Sequence, residues 1–398
     1  MIKREQYLKK LIQFKDKQLI KVITGIRRCG KSTLFELYQS YLKSQGVADN
    51  QIISINFENL QFENLLDYKK LYEYVFKKIS KTKKTYIFLD EIQHVKEFQK
   101  AVDSLFVIKN VDVYITGSNA YILSGELATL LSGRYIEIEM MPLSFKEYSD
   151  FADKKRDQKE KFKEYLKYGS FPYITALDNK QEAITEYLKG IYNTVLLKDV
   201  VAKNKIQDVM ILESVIKFLF HNIGSFVSAK KISDTLNSNG RKISVNTVES
   251  YLSALKNSYI IYQANRYDIK GKQYLKTLSK YYVVDIGLRN ILLSNQDTDF
   301  GHVLENIVYL ELIRRGYKVS IGKVIGDKEV DFVAVNEKGI IYYQVAASVS
   351  DPKTLKRELT SLETINDNYP KYLITSDDYI DATYNGIKQI NIIDFLLS

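Results

Sequence analysis

The sequence predicts an α/β chain that opens with a parallel sheet covered on both faces. Three observations carry that expectation. Short apolar runs alternate with helical stretches through residues 1–150. One run, Ile20-Lys-Val-Ile-Thr24, feeds a glycine loop that opens a helix. A later run, Tyr86-Ile-Phe-Leu89, stops on the acidic pair Asp90-Glu91.

Taken in order, strands are expected at 20–24, 52–57, 86–90, 113–116 and 135–139. The loop after the first is Gly25-Ile-Arg27-Arg28-Cys29-Gly30-Lys31-Ser32. A buried strand entering such a loop aims backbone N–H groups and a positive helix end at one phosphate chain. Gly25 and Gly30 permit the tight path, Lys31 reaches the β- and γ-phosphates, and the Ser32 hydroxyl takes a Mg²⁺ position. Arg27, Arg28, Cys29 and Thr33 complete the expected cradle for ATP. The helix that follows puts Leu34, Leu37 and Tyr38 on one face.

Asp90 is expected to share the Mg²⁺ shell with Ser32, and Glu91 to orient and deprotonate the attacking water. One strand, 52–57, falls between the two motifs in sequence. That order suits a sheet with an extra strand inserted between them, which leaves room for a catalytic glutamate. The next strand ends in Thr116-Gly-Ser-Asn119, where Asn119 is the candidate sensor bridging γ-phosphate and water. Ser118 is the alternative, and a plain turn asparagine is a third reading. Leu130-Leu-Ser-Gly-Arg134 is expected to end a helix before the strand at 135. Arg134 there can neutralise the γ-phosphate of a neighbouring subunit in a homo-oligomer, or make a local salt bridge or phosphate contact within its own subunit. Both readings stay open.

Residues 151–212 read as a helical lid. They contain the charged run Asp153–Lys161, a solvated boundary because its signs alternate, and the turn Gly169-Ser-Phe-Pro172. Residues 213–294 have the pattern of a winged helix-turn-helix. The helix Ser228–Leu236 leads through a polar turn to a second helix with Val245, Val248, Leu252 and Leu255 on one face. Ser244 is its expected N-cap, and Tyr259–Tyr262 and Tyr281–Val284 the wing strands. The outward positions Asn246, Thr247, Glu249, Ser250 and Ser253 include no arginine, while Lys230, Lys231, Arg241 and Lys242 flank them. Contact with double-stranded DNA and plain protein packing are equally open. Residues 295–398 form a second α/β unit.

The 398 residues suffice for two to four compact units, and an apolar share of 45% describes a globular chain. No apolar stretch approaches the ~20 residues a membrane span needs, and the first residues lack a signal-peptide core. A cytoplasmic protein is therefore expected. Cys29 is the one cysteine, which fits a reducing compartment; it reads as packing under the loop, with an oxidation switch as the lesser alternative. His94, His221 and His302 are scattered and make no metal cluster. The net charge of +10 agrees with a nucleotide or nucleic-acid partner without showing one, because a lysine-rich soluble surface is the commoner explanation.

The motifs Ile23–Thr33, Leu89-Asp-Glu-Ile-Gln93, Thr116–Asn119, Ser132-Gly-Arg134 and Pro142–Tyr148 resemble the prokaryotic AAA-type ATPases fused to a C-terminal domain of unknown function. The likeness continues through Gly169–Pro172, Leu196–Asp199 and Gly301–Asn306. The family typically has a second glycine at Ser170 and often arginine at Lys198, and neither departure touches the nucleotide. The resemblance implies an ATPase core, a helical lid, a winged helix and a restriction-endonuclease-like C-terminal domain. It places Glu305 on the first helix of that domain and Asp331 on a strand, with Gln344 and Ala346 where an active enzyme carries glutamate and lysine. Glu329 and Glu305 partly restore metal binding, but the nearest lysines, Lys353 and Lys356, lie on the following helix. An inactive nuclease is expected. The leading functional expectation is an ATP-driven switch or remodelling ATPase, with DNA as one candidate place of action. The alternatives are an ATP-dependent scaffold that docks a protein partner through the C-terminal domain, and an ATP-gated nuclease.

Overall fold

The computed structural model describes residues 2–123, 131, 133–152, 155–177, 181–293, 300–324, 328–378 and 382–398. Two units make up the chain: Met1–Pro142 with Asn257–Tyr259, and Leu143–Lys256 with Ile260–Ser398. Residues 130 and 132 of the expected helix end and residues 153–154 of the charged run lie outside the described residues.

In the first unit, β1 (Ile20–Thr24), β2 (Ile52–Asn56), β3 (Thr85–Asp90), β4 (Val111–Thr116) and β5 (Tyr135–Glu139) form one parallel sheet. Its order is β2-β3-β4-β1-β5. Every residue of β1, β3 and β4 is buried, as expected when helices cover both faces. Those helices are α1 (Glu5–Gln13), α2 (Lys31–Ser44), α3 (Tyr68–Phe76) and α4 (Phe98–Phe106). On α2, Leu34 and Tyr38 are fully buried and Leu37 is partly so. The strand inserted between β1 and β3 is β4, while β2 takes the sheet edge. The loop after β4, with Asn119, therefore emerges between the phosphate loop and the acidic pair.

A charged network runs through this core. Lys21 on β1 is fully buried, and its Nζ lies 2.5 Å from Asp112 Oδ1. The Tyr114 hydroxyl donates to the other Asp112 oxygen at 2.8 Å. Burial pulls the Lys21 ammonium below its ordinary pKa, with Asp112 opposing. The pair is tolerated because each charge has its counter-charge and donors in place.

The second unit begins with α5 (Phe145–Phe151) and α6 (Gln158–Tyr168), capped by Ser144 and Asp157 through reciprocal bonds with Glu147 and Glu160. Then come α7 (Gln181–Thr194), which continues as π-helix over Val195–Ala202, and α8 (Val209–His221). The short β6 (Phe226–Val227) leads to α9 (Ala229–Ser238) and α10 (Val245–Asn257). The hairpin β7 (Ile261–Asp268) and β8 (Gln273–Val283) follows. Ser244 Oγ accepts from the Thr247 N–H at 3.1 Å, the cap read from the sequence. Val248, Leu252 and Leu255 of α10 are buried, and Asn246, Glu249, Ser250 and Ser253 are exposed.

The rest comprises α11 (Ile286–Leu293), α12 (Phe300–Arg314), β9 (Lys318–Lys323), β10 (Glu329–Asn336), β11 (Gly339–Ala346), α13 (Pro352–Glu363), β12 (Lys371–Thr375), β13 (Thr383–Tyr384), β14 (Ile387–Asn391) and α14 (Ile392–Leu397). These strands join the hairpin in one nine-stranded mixed sheet, β13-β14-β12-β11-β10-β9-β7-β8-β6. The hairpin strands are longer than the short wings expected from sequence. The extension of β7 pairs in parallel with β9, Arg266 opposite Ile321, so the sheet runs across the 294/295 boundary. No described helix is long and apolar enough to cross a membrane.

Candidate functional site

The site is built where β1, β3 and β4 end. Gly25 follows β1 at φ 135°, and a Cβ there would sit 2.0 Å from the Met140 carbonyl oxygen. Gly30 caps α2 at φ 104°, and Arg28 is left-handed at φ 70°. Both glycines are thus required by close approach and by backbone angle. The loop is braced from below by Arg4, which is buried. Its guanidinium donates to the carbonyls of Cys29 at 2.8 Å and Met141 at 2.6 Å. Cys29 is fully buried, and burial pushes its thiol pKa up. That is the packing role, since a reactive cysteine needs an exposed, depressed thiol.

Lys31 folds back on its loop, its Nζ donating to Gly25 O at 3.1 Å and Ile26 O at 3.4 Å. Its Nζ lies 3.7 Å from Glu91 Oε1. Arg27 is paired with Glu58 at 2.6 Å. The Ser32 side chain lies beside Asp90 and helps to hold its carboxyl pKa down. Asp90 accepts from Thr116 Oγ1 at 2.5 Å and from Asn56 Nδ2 at 2.9 Å. Burial raises its carboxyl pKa, and Thr116 and Ser32 work against that. Ser32 and Asp90 side by side at a helix start are a hydroxyl and a carboxylate, the oxygen donors Mg²⁺ takes. Thr33 is partly buried one position on.

Glu91 is left-handed, at φ 53° and ψ 47°, with its N–H held by Thr116 Oγ1 at 2.9 Å. A non-glycine residue in that region carries strain, and such residues gather at functional sites. Burial pushes the Glu91 carboxyl up, but Lys31 and then a hydrogen bond from Gln93 outweigh it, so the net pKa lies below the ordinary value. Asn119, at the end of β4, is buried and donates to Ser258 Oγ at 3.3 Å; Ser118 is buried beside it.

Arg134 is not brought to this cluster. Its carbonyl accepts from the Ile20 N–H, at the start of β1, whereas the phosphate loop leaves the end of that strand. Roughly 15 Å of strand separates the two ends. Its guanidinium pairs instead with Asp103 of α4 at 2.6 Å, half exposed.

A second cluster lies in the C-terminal sheet, in a cleft of about 460 Å³ lined in part by Lys280, His302, Glu305, Asp331, Gln344 and Glu358. Lys280 Nζ donates to Glu305 Oε1 at 2.9 Å and lies 3.8 Å from Asp331. Tyr282 donates to the same Glu305 oxygen at 2.6 Å. Gln344 donates to Glu358 at 2.8 Å, and the Val345 N–H donates to Asp331 at 2.8 Å. Burial lowers Lys280, but Glu305 and Asp331 more than offset it and leave it above an ordinary lysine. Asp331 is pushed up to about 8, by burial first and then by Glu305.

Sequence reasoning missed Lys280, Arg4 and Gln93. The signal for Lys280 was a lysine on the strand Ser279-Lys-Tyr-Tyr-Val283, whose neighbours are apolar. Arg4 sits in a charged N-terminal stretch and carries no comparable signal.

Residues 17–149 match the family model of an AAA domain, and residues 159–299 match that of a domain of unknown function. An uncharacterized protein of Haemophilus influenzae is 44% identical over 100% of this chain and 99% of its own length. An uncharacterized protein of Methanocaldococcus jannaschii is 36% identical over 75% of this chain and 67% of its own. Among solved structures, the Walker-type ATPase of Pyrococcus abyssi aligns over 74% of this chain and 96% of its own, with a TM-score of 0.53. At 15% identity that likeness concerns the fold, a P-loop ATPase sheet. With the loop and the Asp90-Glu91 pair in their places, the chain belongs to the AAA-domain P-loop ATPases that carry a C-terminal domain of unknown function.

Proposed function

We propose that the protein binds ATP with Mg²⁺ and hydrolyses it, using the cycle as a switch or to remodel a partner. The observation that carries this reading is the strained Glu91, buried 3.7 Å from Lys31 and next in chain to Asp90, beside which Ser32 lies. Lys31, with the N–H groups of Gly30 and its neighbours, binds the phosphates. Ser32 and Asp90 hold the metal, which neutralises phosphate charge. Glu91 takes the proton of the attacking water, and its depressed pKa keeps it ionised and ready at neutral pH. Asn119 orients the reacting groups from the end of β4.

Phosphate release and nucleotide binding test this together. Glu91→Gln should bind ATP normally and lose turnover by ~10²-fold or more, the scale of a lost general base. Turnover at the native rate in that variant sinks the assignment.

The placement of Arg134 at the far end of β1 from the phosphate loop favours action on a neighbouring subunit over action on its own. In this reading the protein is a homo-oligomer, and mixing Arg134→Ala with Lys31→Ala chains restores part of the activity. A monomer with full ATPase activity rules it out. Duplex DNA is the partner proposed for α10, supported by the exposed Lys230, Lys231 and Lys242 around its polar face. The C-terminal domain is the proposed docking element for a protein partner.

A further inference from the structure

Gln93 is bound in a way that packing alone does not explain. Its Nε2 donates to Glu91 Oε2 at 2.5 Å. Its Oε1 is buried and accepts no hydrogen bond among the described residues. A buried amide oxygen without a donor is costly to keep. The opposite amide orientation would set that oxygen against the Glu91 carboxylate, so the donor end has to face the acid. A residue kept only to fill the turn would be apolar, with nothing left unpaired.

Two neighbours make concessions to the same contact. Glu91 accepts a left-handed backbone at φ 53°. Gly117, in the loop that carries Asn119, makes the room: a Cβ there would lie 3.0 Å from Gln93 Oε1 and 2.7 Å from Ile122 Cδ1. A strained backbone, an unpaired acceptor and an obligatory glycine converge on the orientation of one carboxylate.

We propose that Gln93 is the positioning residue of the Glu91 base, holding its carboxylate in one orientation when nucleotide draws Lys31 away. The inference rests on the ATPase reading above. Lys31 sits 3.7 Å from Glu91, beyond hydrogen-bond reach, while Gln93 makes the short contact. Once Lys31 turns to a phosphate, that contact persists. Without it the base remains but is free to rotate, and it loses a donor that favours its ionised form.

The test compares Gln93→Met, Gln93→Glu and Glu91→Gln in the full chain. Gln93→Met should bind a fluorescent ATP analogue with native affinity and unfold near the native temperature, because losing the unpaired oxygen offsets losing the donor to Glu91. Its kcat should fall roughly tenfold, part of the general-base contribution, and the acid limb of its pH–rate profile should move to higher pH. Gln93→Glu sets a second carboxylate against Glu91, so its turnover should recover as pH rises. Lower thermal stability in Gln93→Met with native kcat and an unmoved acid limb would show a merely structural glutamine and overturn the proposal. So would a flat profile in Gln93→Glu. If Glu91→Gln is inactive while Gln93→Met matches wild type, only this inference falls. If Glu91→Gln turns over normally, the ATPase assignment falls and takes it along.

Discussion

Besides Lys21, two buried lysines among the described residues face carboxylates, Lys31 and Lys280, and these two are held in opposite ways. Lys31 rests on two loop carbonyls at 3.1 and 3.4 Å and stays 3.7 Å from Glu91. Lys280 bonds Glu305 at 2.9 Å, and that same oxygen takes the Tyr282 hydroxyl at 2.6 Å. The first lysine has weak, replaceable partners, so a phosphate can outbid them. The second has a matched counter-ion and neighbours that leave its carboxylates occupied. In one unit a buried charge rests on weak contacts, and in the other it closes a network.

Removing each lysine should break the contrast most visibly. Lys31→Ala should abolish tight ATP binding while the chain still folds. Lys280→Ala should destabilise the second unit by about 3–5 kcal/mol, the scale for stranding a buried charge by deleting its partner. Adding Glu305→Gln should recover much of that loss, because the stranded charge goes with it. Denaturant unfolding read alongside nucleotide binding decides the matter. A Lys280→Ala chain as stable as wild type would mean that the network is slack and the contrast false.

A pH series sharpens the comparison with a smaller effect. Asp331, facing Glu305, Lys280 and Glu358, has its folded pKa pushed up to about 8, against about 4 in an unfolded chain. A group raised on folding holds its proton more tightly in the native state. Its contribution is therefore fully present below about pH 4 and is lost as pH rises through about 8. Glu91 is shifted the other way, so its contribution is lost only as pH falls through its depressed value. Asp331→Asn should match wild-type stability in acid and exceed it above pH 8. A constant difference across that range would place the Asp331 pKa near its ordinary value.

Most of the first unit was legible because local pattern and tertiary role coincide there. Ile20–Thr24 reads as a buried strand, and Gly25, Gly30 and Lys31 need only their own neighbours to be recognised. The position of β4 was legible only as a type of sheet: the acidic strand's distance from the loop implied an inserted strand without naming Val111–Thr116. Arg134 could be placed at a helix–strand junction, yet which end of the sheet that junction occupies depends on strand direction. The Lys280 network was invisible because it joins residues 280, 305 and 331 across β8, α12 and β10. A charged side chain on a strand looks like a solvated face until the facing carboxylates are known. The continuous sheet was missed for a related reason, since the β7–β9 pairing is set by strand edges and not by local composition.

The smallest expected effect is none: the C-terminal cleft should not cut DNA. Metal-dependent phosphodiester hydrolysis needs carboxylates free to hold a cation and a lysine beside the water. In the endonuclease-like reading Gln344 takes the place of a carboxylate, and its amide is engaged with Glu358. In the same reading Ala346 takes the lysine position. Lys280 brings an ammonium into the cleft, which the sequence did not suggest, but it lies against the two acids a metal would need. An ammonium bonded to Glu305 competes with a divalent cation for the same oxygen. Purified protein with Mg²⁺ or Mn²⁺ should leave linear, supercoiled and single-stranded DNA uncut, with and without ATP. Cleavage that disappears in Asp331→Ala would show that Lys280 yields to the metal and acts beside it, and the two lysines would then be alike after all.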